Sequence, residues 1–334
     1  MSLAVQETPS PPSPSSSSSP PPKKPKRCRY WTDLIPRRRK IVVAVRTTAP
    51  HPHSLESSHG LSWTRVGLLG KGAFGSVYFA KSNQDQNSHL PLQMAVKSAL
   101  TDDSSSLQYE KQILTELQDS PHVVHCYGDE ITQMGDGNQV YNLLLEFCGG
   151  LSLKRTIRIS PGGRLSDSDI KCYARDVLEG LAYVHSRGYI HCDIKPDNIL
   201  LVPGGEGKKG RKFVAKLADF GLAKVADGLA DSELRGTYMF MSPELVESKV
   251  VDFPADIWAF GCTLVEMMTG KSAWDYSDVE DLLYVIGESD ELPNLPSSIC
   301  ESEDATDFFG RCLCRNASFR WSAEMLLDHP FLSI

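Results

Sequence analysis

The stretch His191-Cys192-Asp193-Ile194-Lys195-Pro196-Asp197-Asn198 puts an acid, a cation two residues on and an amide five residues on in one short loop. Asp219-Phe220-Gly221 follows 21 residues after Asn198 and adds a second carboxylate. Together they offer an acceptor for a hydroxyl proton, positive charge for a phosphoryl group, and amide and carboxylate oxygens for Mg²⁺. Phosphoryl transfer needs these groups. Any one of them alone also reads as a turn residue capping backbone amides. Two further motifs precede them. Gly70-Lys71-Gly72-Ala73-Phe74-Gly75 is a Gly-x-Gly-x-x-Gly turn, whose bare backbone lets amides approach phosphate oxygens. By itself it fits a dinucleotide turn or a plain hairpin. A dinucleotide turn opens a helix, whereas Ser76-Val77-Tyr78-Phe79-Ala80 reads as a strand. In Met94-Ala95-Val96-Lys97 a lysine sits in an apolar strand, where it needs an anionic partner to stay charged. Glu110 on the next helical stretch is the natural partner. The other reading is a surface lysine on an edge strand.

The elements that must position these groups change in kind along the chain. Trp63–Leu69, Ser76–Lys81 and Gln93–Ser98 read as strands, the first two around the glycine turn. Ser106–Leu117 has helical periodicity through Leu107, Glu110, Ile113 or Leu114, and Leu117. Gln139–Phe147 reads as a strand ending at Gly149-Gly150. Beyond it the pattern is helical. Ser166 to Asp169 resembles a capping box. Ile170, Ala174, Val177, Leu178, Leu181 and Val184 then line one face, and Gly188 marks a stop. Ala255–Thr269 is apolar nearly all round, which predicts a buried helix ended by Gly270. Strands first and helices after predict an α+β, bilobal chain: a β-rich N-lobe of about 61–147 and a mainly helical C-lobe of about 148–334. No internal repeat is visible.

With these motifs in this order, the sequence resembles the eukaryotic protein kinase family from about Trp63 to Ile334. Met241-Ser242-Pro243-Glu244, Asp256-Ile257-Trp258-Ala259-Phe260-Gly261 and Arg320 match its later signatures. The resemblance implies ATP and Mg²⁺ as cofactors and a role for each matching residue. Asp193 would be the catalytic base and Lys195 would contact the γ-phosphate. Asn198 and Asp219 would hold Mg²⁺. Lys97 would hold the α/β-phosphates while paired with Glu110. Gly70, Lys71, Gly72, Ala73, Phe74 and Gly75 would cover the triphosphate. Leu145 falls at the gatekeeper and Glu146 to Cys148 at the hinge; Val77, Ala95 and Leu200 would sandwich the adenine. Thr237 would bridge to the catalytic loop, and Glu244 with Arg320 would form a structural ion pair.

Lys195 and the Gly236–Glu244 segment resemble the serine/threonine kinases. Trp63-Thr64-Arg65-Val66-Gly67, Ser120-Pro121-His122-Val123-Val124 and the Trp321 to Phe331 ending resemble the MEKK-like MAP kinase kinase kinases of plants. That implies a MAP kinase kinase as protein substrate. A serine/threonine kinase of another subfamily, a catalytically weak kinase-fold scaffold and a small-molecule phosphotransferase are the alternatives. The presence of Lys97, Asp193, Asn198 and Asp219 speaks against the scaffold, and the Thr237–Glu244 segment against the phosphotransferase. Cys192 departs from the family pattern, which has Arg there to pair with a loop phosphate. Its loss predicts switching that depends less on loop phosphorylation, with Ser232 as the available site; Lys224 or Arg235 is the other source of charge. The 202–212 loop, rich in glycine and lysine, reads as a surface connection or a basic docking loop.

The charge of the 334 residues is uneven. Residues 1–60 hold 10 basic and 3 acidic groups, a net of +7; the other 25 basic and 39 acidic groups leave −14. An acidic body argues against direct nucleic-acid binding. Residues 1–22 hold 8 Ser and 7 Pro, the composition of a disordered segment. Clusters at 23–27 and 37–40 fit a nuclear localisation signal, a docking peptide, a transit peptide or a solvated charge run. No run is apolar enough for a membrane span or a signal-peptide core. The 9 cysteines lack disulfide or zinc spacing. Cytoplasm, nucleus or both is the expected location. No regulatory domain is expected after residue 334, and control is expected from the tail, the loop, partners or protein abundance.

Overall fold

The computed structural model describes residues 59–72, 75–83, 90–135, 137–204, 212–227, 234–296, 299 and 302–333. The 1–58 tail with its basic clusters, Ala73, Phe74, Ser232 and most of the 202–212 loop lie outside the described residues.

Five antiparallel strands form the first sheet: β1 (Trp63–Gly72), β2 (Gly75–Ser82), β3 (Gln93–Leu100), β4 (Cys126–Gln133) and β5 (Gln139–Glu146), in the order β1-β2-β3-β5-β4. β1 and β2 continue into the glycine turn further than the hydrophobic pattern predicts, with Gly72 opposite Gly75. Gly75 has φ 135, and a Cβ there would lie 2.3 Å from the Ser98 carbonyl oxygen, so only glycine closes this turn against β3. One face of the sheet packs Trp63, Ala80, Met94, Val96 and Leu144. Arg65 lies on that face too. Its guanidinium donates to Ser98 Oγ at 2.9 Å and Asn142 Oδ1 at 2.8 Å and stacks 4.4 Å from the Tyr78 ring. Burial pushes its pKa below the ordinary value. Trp63 and Arg65, read from the sequence as subfamily signatures, are therefore sheet-packing residues.

The other face takes α1 (Ser105–Glu116), which buries Leu107, Glu110, Ile113 and Leu114. The 120–125 segment after α1 joins the sheet to the helical half. It lies along β8 (Phe213–Leu217), with Leu217 N–H donating to His122 O at 2.8 Å and Val124 N–H to Leu217 O at 2.9 Å. β8 pairs with β7 (Ile199–Pro203).

The helical half contains α2 (Leu153–Ile159), α3 (Asp167–Ser186), α4 (Pro243–Ser248), α5 (Phe253–Thr269), α6 (Val279–Glu288), α7 (Glu303–Cys312) and α8 (Ala323–Leu327). At the start of α3, Ser166 Oγ accepts from Asp169 N–H and donates to the Asp169 carboxylate at 2.7 Å. The shorter Asp closes on the hydroxyl, where a Glu would reach back to the backbone. α5 is the central helix, buried around its circumference and stopped by Gly270 in the left-handed conformation. Arg320 ties the later chain to α4. It holds Glu244 with bonds of 2.8 and 3.0 Å and also donates to the carbonyls of Cys314, Pro254 and Arg315. None of the described helices is long and apolar enough to cross a membrane.

Candidate active site

Lys97 stands on β3, with β2 and β5 as its neighbours, and the residue is 8% exposed. This excludes the edge-strand reading. A buried ammonium must be neutralised, and two carboxylates do it: Glu110 Oε2 and Asp219 Oδ1 each accept from Nζ at 2.7 Å. Burial works against the Lys97 charge, but Glu110 and Asp219 together outweigh it and hold its pKa above the ordinary value. Burial also pushes the Asp219 carboxyl up, and Lys97 more than reverses this, leaving it below the usual carboxylate range. Fully buried Glu110 is shifted up by the loss of water. It earns a second bond by accepting from Phe220 N–H at 3.1 Å, which fastens α1 to the Asp219 turn.

Asp193 follows β6 (Tyr189–Ile190) in a loop that the helical half holds by its backbone. Asp256 on α5 accepts from His191 N–H at 2.8 Å and Cys192 N–H at 2.9 Å, while His185 Nε2 binds the same carboxylate at 2.9 Å. Cys192 takes φ 65, the left-handed region rare for a residue with a side chain. His191 bridges the two motifs. Its Nδ1 accepts from Asp193 N–H at 3.3 Å, its Nε2–H donates to Ala218 O at 3.1 Å, and its ring lies 4.6 Å from that of buried Phe220.

Around the Asp193 carboxylate, Oδ2 accepts from Lys195 Nζ at 2.7 Å and Asn198 Nδ2 at 2.9 Å. Oδ1 accepts from the Thr237 hydroxyl at 2.7 Å, and that hydroxyl accepts from Lys195 Nζ at 2.8 Å. Gly236 allows the approach: with φ 104, a Cβ there would stand 2.4 Å from Cys192 O. Asn198 uses its amide N–H groups on the Asp193 carboxylate and carbonyl, which leaves its side-chain oxygen as the acceptor. Asp219 commits one oxygen to Lys97, and its side chain is 35% exposed. Among these groups the three carboxylates of Glu110, Asp193 and Asp219 outnumber the two ammonium groups of Lys97 and Lys195. A hard cation held by the oxygens of Asn198 and Asp219 fits this surplus.

At the other end, Ala95 pairs across the ladder with Leu145, and Val77 with Lys97. Leu145 is buried, while Val77, Ala95 and Leu200 are half-buried. The Phe79 and Phe147 rings lie 4.6 Å apart, tilted by 49°, next to Glu146 and Cys148. Burial and Glu146 together push the Cys148 thiol up to about 12. Lys71 is exposed on β1. Thus Lys97, Glu110 and Asp219 form one hydrogen-bonded group and Asp193, Lys195, Asn198 and Thr237 another, and His191 and the Ala218 backbone join the two.

The protein kinase domain family model matches residues 63–332. The chain belongs to the protein kinase family. It is a serine/threonine protein kinase, and it is similar to the plant MAP kinase kinase kinases. Mitogen-activated protein kinase kinase kinase 17 of Arabidopsis thaliana is 38% identical over 277 residues, 82% of this chain and 70% of the relative. Number 18 of the same plant is 39% identical over 280 residues, covering 81% and 78%. Number 20 is 38% identical over 282 residues, covering 82% and 79%. The kinase family generally uses ATP and Mg²⁺.

Sequence reasoning on this kinase missed the role of Asp256. A carboxylate inside an otherwise apolar helix was the available signal, because a buried charge has to be spent on hydrogen bonds. It also missed Glu266 of α5, which takes Lys154 of α2 as its ion-pair partner.

Proposed function

We propose that this chain is a MAP kinase kinase kinase that transfers the γ-phosphoryl group of ATP to serine or threonine in the activation loop of a MAP kinase kinase. The observation that carries the chemistry is the Asp193 carboxylate, oriented by Lys195, Asn198 and Thr237 and linked through His191 to the chain that carries Asp219. The substrate rests on the names of the relatives. In the step, the substrate hydroxyl oxygen bonds to the γ-phosphorus while the bond to the bridging β,γ-oxygen breaks. Asp193 accepts the hydroxyl proton. Lys195 balances charge at the γ-phosphate. Lys97, positioned by Glu110, holds the α/β-phosphates, and the Gly70–Gly75 turn covers them. Asn198 and Asp219 hold Mg²⁺, which when bound neutralises charge on the phosphate oxygens. Val77, Ala95, Leu145 and Leu200 receive the adenine beside the hinge at Glu146 to Cys148.

Cys192 supplies no cation for a loop phosphate. Its thiol bonds instead to Ile190 O at 3.5 Å, Arg235 donates to Leu222 O at 3.2 Å and Lys224 pairs with Asp227 at 3.2 Å. The segment after Asp219 thus has ties that need no phosphate. On this reading Ser232→Ala keeps most of the activity of the purified kinase, and near-total loss would overturn it. For location, the reading is cytoplasm, nucleus or both, tested by tagging the chain and neutralising the clusters at 23–27 and 37–40.

The deciding assay uses radiolabelled ATP with Mg²⁺, a panel of MAP kinase kinases and a generic basic protein, beside Asp193→Asn and Lys97→Met. Labelling of a MAP kinase kinase, abolished in both variants, supports enzyme and tier together. Labelling of the generic protein alone removes the tier. No labelling at all removes the catalytic reading.

A further inference from the structure

Lys216 belongs to none of the motifs above. It stands on β8 directly across the ladder from Leu200. Cross-strand partners project to the same face of a sheet, so Lys216 shares the face with which Leu200 underlies the nucleotide. Its ammonium donates to Glu146 Oε2 at 2.7 Å, with side chains only 15% and 20% exposed. The same Oε2 accepts from His125 N–H at 3.1 Å, and Glu146 N–H donates to His125 O at 2.9 Å. Glu146 is therefore held at the backbone by the first lobe and at the carboxylate by a strand of the second.

Both ends of this link are fixed. On either side of Lys216, Ala215 N–H donates to the buried carboxylate of Asp176 at 2.9 Å, and Leu217 exchanges backbone bonds with His122 and Val124. The lysine stem thus leaves from a backbone that is hydrogen-bonded on both sides. Glu146 is the last residue of β5, at the start of the hinge. Asp219 comes three residues after Lys216 on the same chain segment. A change at the Lys216–Glu146 contact alters the offset between the hinge and the strand leading into Asp219. An exposed ion pair of this type would add little, but a shielded one with an additional backbone donor constrains geometry.

We propose that Lys216 is a positioning residue for the nucleotide, holding the hinge at Glu146 in register with the strand that delivers Asp219. The inference rests on the reading of this cleft as an ATP site. It is tested by steady-state kinetics of Lys216→Met, Lys216→Arg, Glu146→Gln and the double variant Glu146→Gln/Lys216→Met, with ATP varied at saturating protein substrate. Nucleotide binding is followed in parallel by thermal shift. Lys216→Met is expected to raise the KM for ATP about tenfold with kcat within about twofold, a loss of binding geometry with the chemistry intact. Lys216→Arg is expected to recover most of the affinity, and the double variant to be no worse than the poorer single one. If Lys216→Met does not fold, Glu146→Gln and Lys216→Arg carry the test. An unchanged KM, additive effects, or a fall in kcat alone would overturn the proposal. Wild type that shows no nucleotide-dependent shift would remove the ATP reading itself, and this inference with it.

Discussion

Lys97 and Arg320 are both cations buried beside carboxylates, yet their surroundings differ in kind. Arg320 is matched by one carboxylate, Glu244, and its guanidinium N–H groups are shared among that carboxylate and the carbonyls of Cys314, Pro254 and Arg315. Nothing further is needed there, and the arginine side chain is fully enclosed. Around Lys97 and Asp193 the carboxylates outnumber the ammonium groups, and the Asp219 side chain stays partly open. A saturated, balanced ion pair joins parts of the fold. An acidic surplus facing a cleft suits a cation that the chain does not itself contain. Buried charge marks both places, so the excess distinguishes them.

The comparison breaks if the two clusters respond alike to substitution. The largest effect is expected from Asp193→Asn, which removes the proposed base and should lower kcat by about a thousandfold, a typical share for general-base catalysis. Its urea midpoint should stay near wild type; a large drop in stability would make Asp193 another structural charge. Arg320→Ala should do the opposite. Leaving Glu244 unpaired is expected to cost about 3–5 kcal/mol of unfolding free energy, measured by urea denaturation, with KM for ATP unchanged in the fraction that stays folded. Thr237→Val removes a hydroxyl from Asp193 Oδ1 and leaves the carboxylate in place. A loss of kcat of about tenfold is expected, consistent with the loss of one hydrogen bond to a charged group, together with near-wild-type melting.

A subtler contrast lies in pH. The Asp219 pKa is held below its ordinary value, so its stabilising contribution is complete above the unfolded pKa of about 4 and is lost as pH falls through the lower folded value. The Lys97 pKa is raised, so its contribution is complete below about 10.4 and is lost as pH rises through the higher folded value. Urea unfolding across pH should therefore show Lys97→Met lacking part of the wild type's stability gain on the acid side. The last contrast lies outside catalysis and concerns Cys148. Burial and Glu146 push its thiol up to about 12, so little thiolate is present at pH 8 and iodoacetamide labelling should be slower than that of an unperturbed cysteine.

Legibility followed physical scale. β2, β3 and β5, the periodic part of α1, and the box and stop of α3 were readable because alternation, capping and glycine act over a few residues. β4 was missed: Gly128, Asp129 and Glu130 interrupt its pattern, as an edge strand with a bulge permits. Short α2 was missed as well, since seven residues carry too little periodicity. Arg65 reads as a surface residue by type, yet Ser98, Asn142 and the Tyr78 ring make its burial tolerable, and those neighbours come from three other strands.

The sequence alone determined which chemical groups exist and in what order: a glycine turn, a lysine in an apolar strand, Asp193 with Lys195 and Asn198, and Asp219 after them. These are properties of residue type and short spacing. Only the tertiary structure decided what each group meets. Lys97 reaches Asp219 across 122 residues of chain, Asp256 secures a loop 64 residues before it, and Lys216 crosses between lobes to Glu146 over 70. Contacts of that kind arise from chain closure and from the need to satisfy every buried charge, conditions that no local pattern records.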